Sequence, residues 1–196
     1  MAMKLVTPPA REPLTLAQTK DHLRVTHATD DAHISVLIPA ARRWAESYSR
    51  RALITQTWDF KADRFNAWGD QIVELPLPPL QSVTSINYID DAGASQLLDA
   101  ADYQVDADSA PARLAPIFGT RWPATYSQLN AVTVRIVAGY GDSPGDIPEG
   151  IASAMLMLIG HLYEHRESVV IGAAVNKMAA SHEWLLDPYR VMKAVG

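Results

Sequence analysis

The chain has 196 residues, of which 48% are apolar, with 17 Lys and Arg against 22 Asp and Glu for a formal charge of −5. That is the make-up of an ordinary globular protein, long enough for one full domain or two small ones. It has no cysteine, which excludes disulfides, thiolate zinc sites and a cysteine nucleophile together, and its acidic balance argues against a general nucleic-acid binder.

At the start, residues 1–14 contain Lys4 and Arg11 but no apolar core of signal-peptide length. Thr15 followed by Gln18 has the capping-box spacing, predicting a short helix over 16–23. Thr29, Asp30 and Asp31 signal a second helix start, because acids favour the positive end of the helix dipole. From there Ile34, Leu37, Ala41, Trp44 or Ala45, and Tyr48 recur at helical spacing. Pro39 falls inside this pattern and is expected to kink or split the helix. A basic patch of Arg42, Arg43, Arg50 and Arg51 closes it, with the last two expected in its final turn. These four arginines are candidate inter-subunit contacts, weighed against the plainer reading of a solvated helix end.

The period then changes to that of strands. Residues 54–62 alternate and carry Thr55, Thr57, Trp58 and Phe60, and 72–75, 83–89, 96–98, 103–105 and 132–137 read as further strands. Asp90-Asp91-Ala92-Gly93 supplies hairpin turn chemistry, whereas 109–129 has three prolines and no clear pattern. Helical patterning returns at Asp146-Ile147-Pro148-Glu149. Ile151, Met155, Leu158 and Leu162 form one stripe, while Leu156, Met157 and Ile159 make the other side apolar too, so this helix should be buried. The apolar run 151–160 is about half the length that spans a bilayer, so no membrane partner is expected. Residues 168–180, rich in Gly, Ala and Val, read as a mobile loop, and Trp184, Leu185 and Leu186 as a last short helix stopped by Pro188.

The fold class this implies is α+β, a helical bundle made from the N- and C-terminal helices with an antiparallel β-rich insertion in the middle. As a single domain spanning 1–196, its helical parts would be 14–53 and 147–190 and its insertion 54–141. Charge follows the same division. Residues 1–51 carry +3, residues 52–147 carry −7 and residues 148–196 carry −1.

The one pattern that suggests an enzyme is His161-Leu162-Tyr163-Glu164-His165, an H-x-x-E-H string in which histidines at i and i+4 could share a zinc ion. A metal-dependent hydrolase using this pair is one alternative reading, and another soluble assembly or binding module is a second. A third ligand is required, and the only carboxylates that follow are Glu167, Glu183 and Asp187. The expectation is therefore no catalytic residues, no metal and no cofactor. Gly139-Tyr140-Gly141 has neither the lysine nor the further glycines of a phosphate-binding loop. Trp184, Leu185, Leu186 and Tyr189, flanked by Arg190 and Lys193, have the composition of an interface anchor. The segment 168–196 is expected to be loosely held in a free subunit and ordered on assembly.

The stretch Leu14-Thr15-Leu16-Ala17-Gln18-Thr19-Lys20-Asp21-His22-Leu23-Arg24-Val25 resembles the opening of the head–tail connector, or head-completion adaptor, proteins of tailed bacteriophages and phage-like gene transfer particles. The order continues with Asp30-Asp31, with Arg51-Ala52-Leu53-Ile54-Thr55-Gln56-Thr57-Trp58 and with Ala138-Gly139-Tyr140-Gly141-Asp142. It closes with Ile147-Pro148, the histidine string and Asp187-Pro188-Tyr189-Arg190. Pro39 departs from the pattern, as does His165, where the family often has asparagine. The resemblance implies a structural virion subunit, assembled in the host bacterial cytoplasm, that forms a ring, commonly a dodecamer, at the head–tail junction. Its partners would be further copies of itself, the portal protein and a tail-side stopper or tail-completion protein, with DNA passing through the channel unread. The acidic middle section would suit a channel wall that lets DNA slide.

Overall fold

The computed structural model describes residues 2–65, 71–165 and 181–192. It is a mixed α and antiparallel-β protein whose chain divides into two compact units, one of 1–10 with 55–140 and one of 11–54 with 141–196.

Among the described residues the β-rich unit has the strands β1 (Ala2–Thr7), β2 (Gln56–Ala62), β3 (Val73–Leu75), β4 (Leu80–Ile89), β5 (Ser95–Leu97), β6 (Tyr103–Asp106), β7 (Ala112–Pro116) and β8 (Val132–Ala138). They make a five-stranded sheet in the order β1-β2-β8-β4-β5 and a three-stranded sheet in the order β3-β7-β6. Every pairing within both sheets is antiparallel. Alternation along β8 buries Val132, Val134, Ile136 and Ala138 and leaves Thr133, Arg135 and Val137 on the other face. Those buried residues join Phe60, Leu80 and Ile86 of the larger sheet and Val73, Leu75, Ala112 and Leu114 of the smaller in one core. Phe65 and Trp122 stack at its margin with ring centroids 4.6 Å apart. The hairpin turn at 90–93 forms as its residues predict, with Gly93 at φ +85° donating its N–H to the Asp90 carbonyl.

Two strands lie where no strand is expected. The first, β1, pairs with β2 across more than a quarter of the chain. The second, β7, falls in the stretch that reads as irregular; it is central in its sheet although Ala112 and Pro116 are poor strand formers. The alternating burial of Ala112, Leu114 and Pro116 against β3 and β6 outweighs propensity there.

The helical unit contains α1 (Leu16–Leu23), α2 (Asp31–Ser49), α3 (Glu149–Glu164) and α4 (Ser181–Leu186), followed by a 3₁₀ turn (Asp187–Tyr189). The predicted capping box starts α1: the Gln18 N–H donates to Thr15 Oγ1 at 3.2 Å, and the Thr15 N–H to Gln18 Oε1 at 3.0 Å. Pro39 does not split α2, which continues unbroken through it. Proline removes one N–H from the helix ladder, but the stripe Ile34, Ile38, Ala41, Ala45 and Ser49 is buried on both sides of that gap and holds the helix together. The position of the terminal arginines is corrected too. The helix stops at Ser49, and Arg50 is its left-handed cap at φ +58°, so Arg50 and Arg51 lie beyond the last turn. Ile151, Ala154, Met155, Leu158 and Ile159 bury α3, which packs with α2 and α1 in the same unit. Among the described residues no helix is long and apolar enough to cross a membrane.

Candidate interaction surfaces

The C-terminal segment 181–192 folds back on its own unit. Leu186 is fully buried, the Val191 N–H donates to the Ser49 carbonyl at 2.9 Å, and Arg51 Nε donates to the Tyr189 carbonyl at 2.5 Å. The Tyr48 hydroxyl donates to Asp187 at 2.7 Å, and the Arg190 guanidinium sits 5.2 Å from the Tyr48 ring centre. The phenol of Tyr189 lies over Gly150 of α3, so close that a Cβ there would meet its oxygen at 2.9 Å. This corrects the expectation of a loosely held tail for 181–192. One buried leucine, a backbone bond and an arginine already on α2's end supply docking within the subunit. The expected loop 168–180 lies outside the described residues, as does Lys193.

The six residues expected to form an anchor therefore divide. Leu186 is spent inside the subunit, Tyr189 and Leu185 are half-buried, and Arg190 rests against Tyr48. Trp184 remains 67% exposed. The arginines divide in the same way. Arg42 is largely buried between Glu12 and Glu46, at 2.8 Å from each, and Glu46 also accepts the Leu53 N–H at 3.1 Å. Burial alone would lower the Arg42 pKa, but the two carboxylates more than offset it and raise it. Arg51 serves the tail, so only Arg43 and Arg50 are fully exposed. The structure also joins what the sequence keeps apart: the end of α2 and the C-terminal segment form one surface. Trp44 contributes to it, stacked on Tyr48 and edge-on to His182 at 4.9 Å. No sequence signal singled out Trp44, Tyr48 or Asp187 for this, because the pairing spans well over a hundred residues.

The histidine string closes α3. His161 and His165 stack with ring centroids 4.7 Å apart, and His165 Nδ1 lies 3.2 Å from the His161 carbonyl. Burial pushes the His182 pKa down, and nearby His161 adds to this against Glu183. Among the described residues no three side chains converge to hold a metal ion.

On the β-rich unit the outward faces carry charge in rows. Lys4 of β1, Asp59 of β2 and Arg135 of β8 stand directly opposite one another across the larger sheet. Arg135 grips Asp59 with two bonds of 2.7 and 3.0 Å, and this pairing holds the Asp59 pKa below the usual carboxylate range, with Lys61 and Lys4 contributing. On the smaller sheet the row is Glu74 of β3, Arg113 of β7 and Asp106 of β6. The Ser109 hydroxyl, Arg113 and the Ser109 N–H pull the Asp106 pKa down to about 2.

The described surfaces thus offer charge rows and an exposed tryptophan, and comparison with known proteins shows what the chain is similar to. Residues 13–106 match the sequence profile of the phage gp6-like head-tail connector proteins. No curated protein sequence matches it. Its fold is similar along its whole length to a chain in the neck of an empty gene transfer agent (GTA) particle computed with C6 symmetry. That match has a TM-score of 0.81 and 26% identity, covering 100% of this chain and 98% of the other. Chains from the virion of a native GTA particle and from a native GTA neck computed with C12 symmetry match at TM-score 0.79, with the same identity and coverage. The profile it matches is that of head-tail connector proteins, and the solved chains it resembles come from the necks and the virion of GTA particles.

Proposed function

We propose that the chain is a head–tail connector subunit of a phage or phage-like particle, assembled in the bacterial cytoplasm and resident at the head–tail junction. It forms a ring, twelvefold in the particle, on the portal protein, extends the DNA channel and presents a surface to the tail-side stopper or tail-completion protein. The observation that carries this reading is the full-length likeness to neck chains of GTA particles, in necks computed with C6 and C12 symmetry. In this reading 1–196 acts as one connector domain, its terminal helices bundled and 54–141 inserted between them.

The exposed acids Asp91, Asp99, Asp102 and Asp108 of the β-rich section supply a bore that repels phosphate and lets DNA slide without being read. Trp184, with Arg190, Arg43 and Arg50 nearby in sequence or in the fold, offers the portal an aromatic and basic contact.

Mass measurement of the full chain with and without portal protein tests the reading. A ring-sized complex that requires portal, or a ring that binds it, is expected; a monomer that ignores the portal at every concentration overturns it.

A further inference from the structure

The two charge rows of the β-rich unit have opposite polarity. The larger sheet's outward face carries Lys4, Lys61 and Arg135 around a single acid, Asp59, among Thr57, Thr133 and Ser85. The smaller sheet's outward face carries Glu74 and Asp106 around a single base, Arg113. Asp59 is engaged by Arg135 and Arg113 by Asp106, so Lys4 and Lys61 set the sign of one face and Glu74 that of the other.

We propose that these two faces dock on each other between successive copies of the chain, the basic face of one β-rich unit against the acidic face of the next. The inference rests on the ring reading above and adds which surfaces close the ring. A ring interface is heterologous and uses two different patches of one subunit. In a twelvefold ring each copy is turned from the last by only about 30°, so those patches must lie on nearly opposite sides of the subunit. The two faces meet that requirement: both sheets bury their other faces in one shared core, so their outward faces point away from each other. The signs also select the geometry. A twofold dimer would set like face against like and be repelled, whereas head-to-tail stacking sets opposite signs together at every contact.

The test uses full-length chain assembled on portal, comparing wild type, Lys61→Glu, Glu74→Lys and the double variant at low and high salt, with ring content read by mass. Thermal unfolding checks that each variant folds, and Lys4→Glu on the exposed edge strand replaces Lys61→Glu if that variant does not. Each single reversal is expected to weaken association about two- to fivefold per contact, compounding around the ring, and the double reversal to recover most of the loss. High salt should shrink all these differences. The proposal is overturned if the double variant is no better than the worse single one, or if single reversals leave rings intact. It is overturned equally if Lys61→Glu alters DNA retention with ring content unchanged, which would assign the basic face to DNA. Wild-type chain that forms no ring removes the ring reading itself, and this inference with it.

Discussion

Truncating Leu186 to alanine measures how firmly the C-terminal segment is held on its own subunit. The side chain is fully buried, and α4 is only six residues long, far too short to persist as a helix without tertiary packing. Removing a buried leucine side chain costs about 2–5 kcal/mol, depending on how far the site can collapse. Because the segment is short and lies towards the end of the chain, the loss should appear first as local opening and only partly as global destabilisation. At a tenfold change for each ~1.4 kcal/mol, that is about 30-fold to several-thousand-fold less protection from amide exchange. The Val191 N–H, bonded to the Ser49 carbonyl, is the reporter. Amides of β2 and β8 belong to the other compact unit and should be unaffected. Hydrogen exchange followed by mass spectrometry or NMR on wild type and Leu186→Ala makes the comparison. Unchanged protection at Val191 would refute the docking argument, and equal loss throughout the chain would refute its local character.

Other consequences are as direct. The Asp106 carboxyl, with its pKa lowered to about 2 from 3.8, adds stability that is fully present above the unfolded value and is lost as pH falls through the folded one. NMR titration should place its midpoint near that low value, and Arg113→Gln with Ser109→Ala should move it back towards the ordinary range. Gly141→Ala should destabilise the helical unit by about 1–3 kcal/mol, because the new methyl collides with the Asp146 carboxylate that caps the 3₁₀ turn at 144–146. Urea unfolding would show this, and a cycle with Asp146→Ala should reveal the coupling. Trp184→Ala removes an exposed side chain and should leave subunit stability within about 0.5 kcal/mol while reducing incorporation into particles; normal incorporation would remove Trp184 from the portal contact.

What could be read in the sequence was what neighbouring residues decide among themselves. Thr15 with Gln18 and Asp90 to Gly93 are local signals that formed as their chemistry dictates, and the helical periods of α2 and α3 were legible too, although α2 buries Ile38 and Ser49 where Leu37 and Tyr48 were expected and α3 leaves Met157 exposed. Features decided by distant partners were not legible. Ala2–Thr7 is a strand because β2, more than a quarter of the chain away, offers it an edge. Ala112–Pro116 is a strand because β3 and β6 flank it and the core takes Leu114. Pro39 was read from its own backbone, which weakens the helix, but the burial on either side of it decided the outcome. The candidate surfaces follow the same rule. Composition found the exposed Trp184, yet it could not tell that Leu186, Arg42 and Arg51 are spent inside the subunit, since Glu12, Glu46 and Tyr189 claim them only after folding.

The central claim, a structural connector subunit repeated around the neck of a particle, is tested most directly by imaging that neck. Particles produced with the chain carrying an exposed affinity tag, and with the gene deleted, would be compared by cryo-electron microscopy with symmetry applied at the neck. The account predicts a closed ring of this fold between head and tail, in register with the portal, and untailed heads when the chain is missing. Density for the chain elsewhere in the particle, or tailed particles assembled without it, would contradict the account.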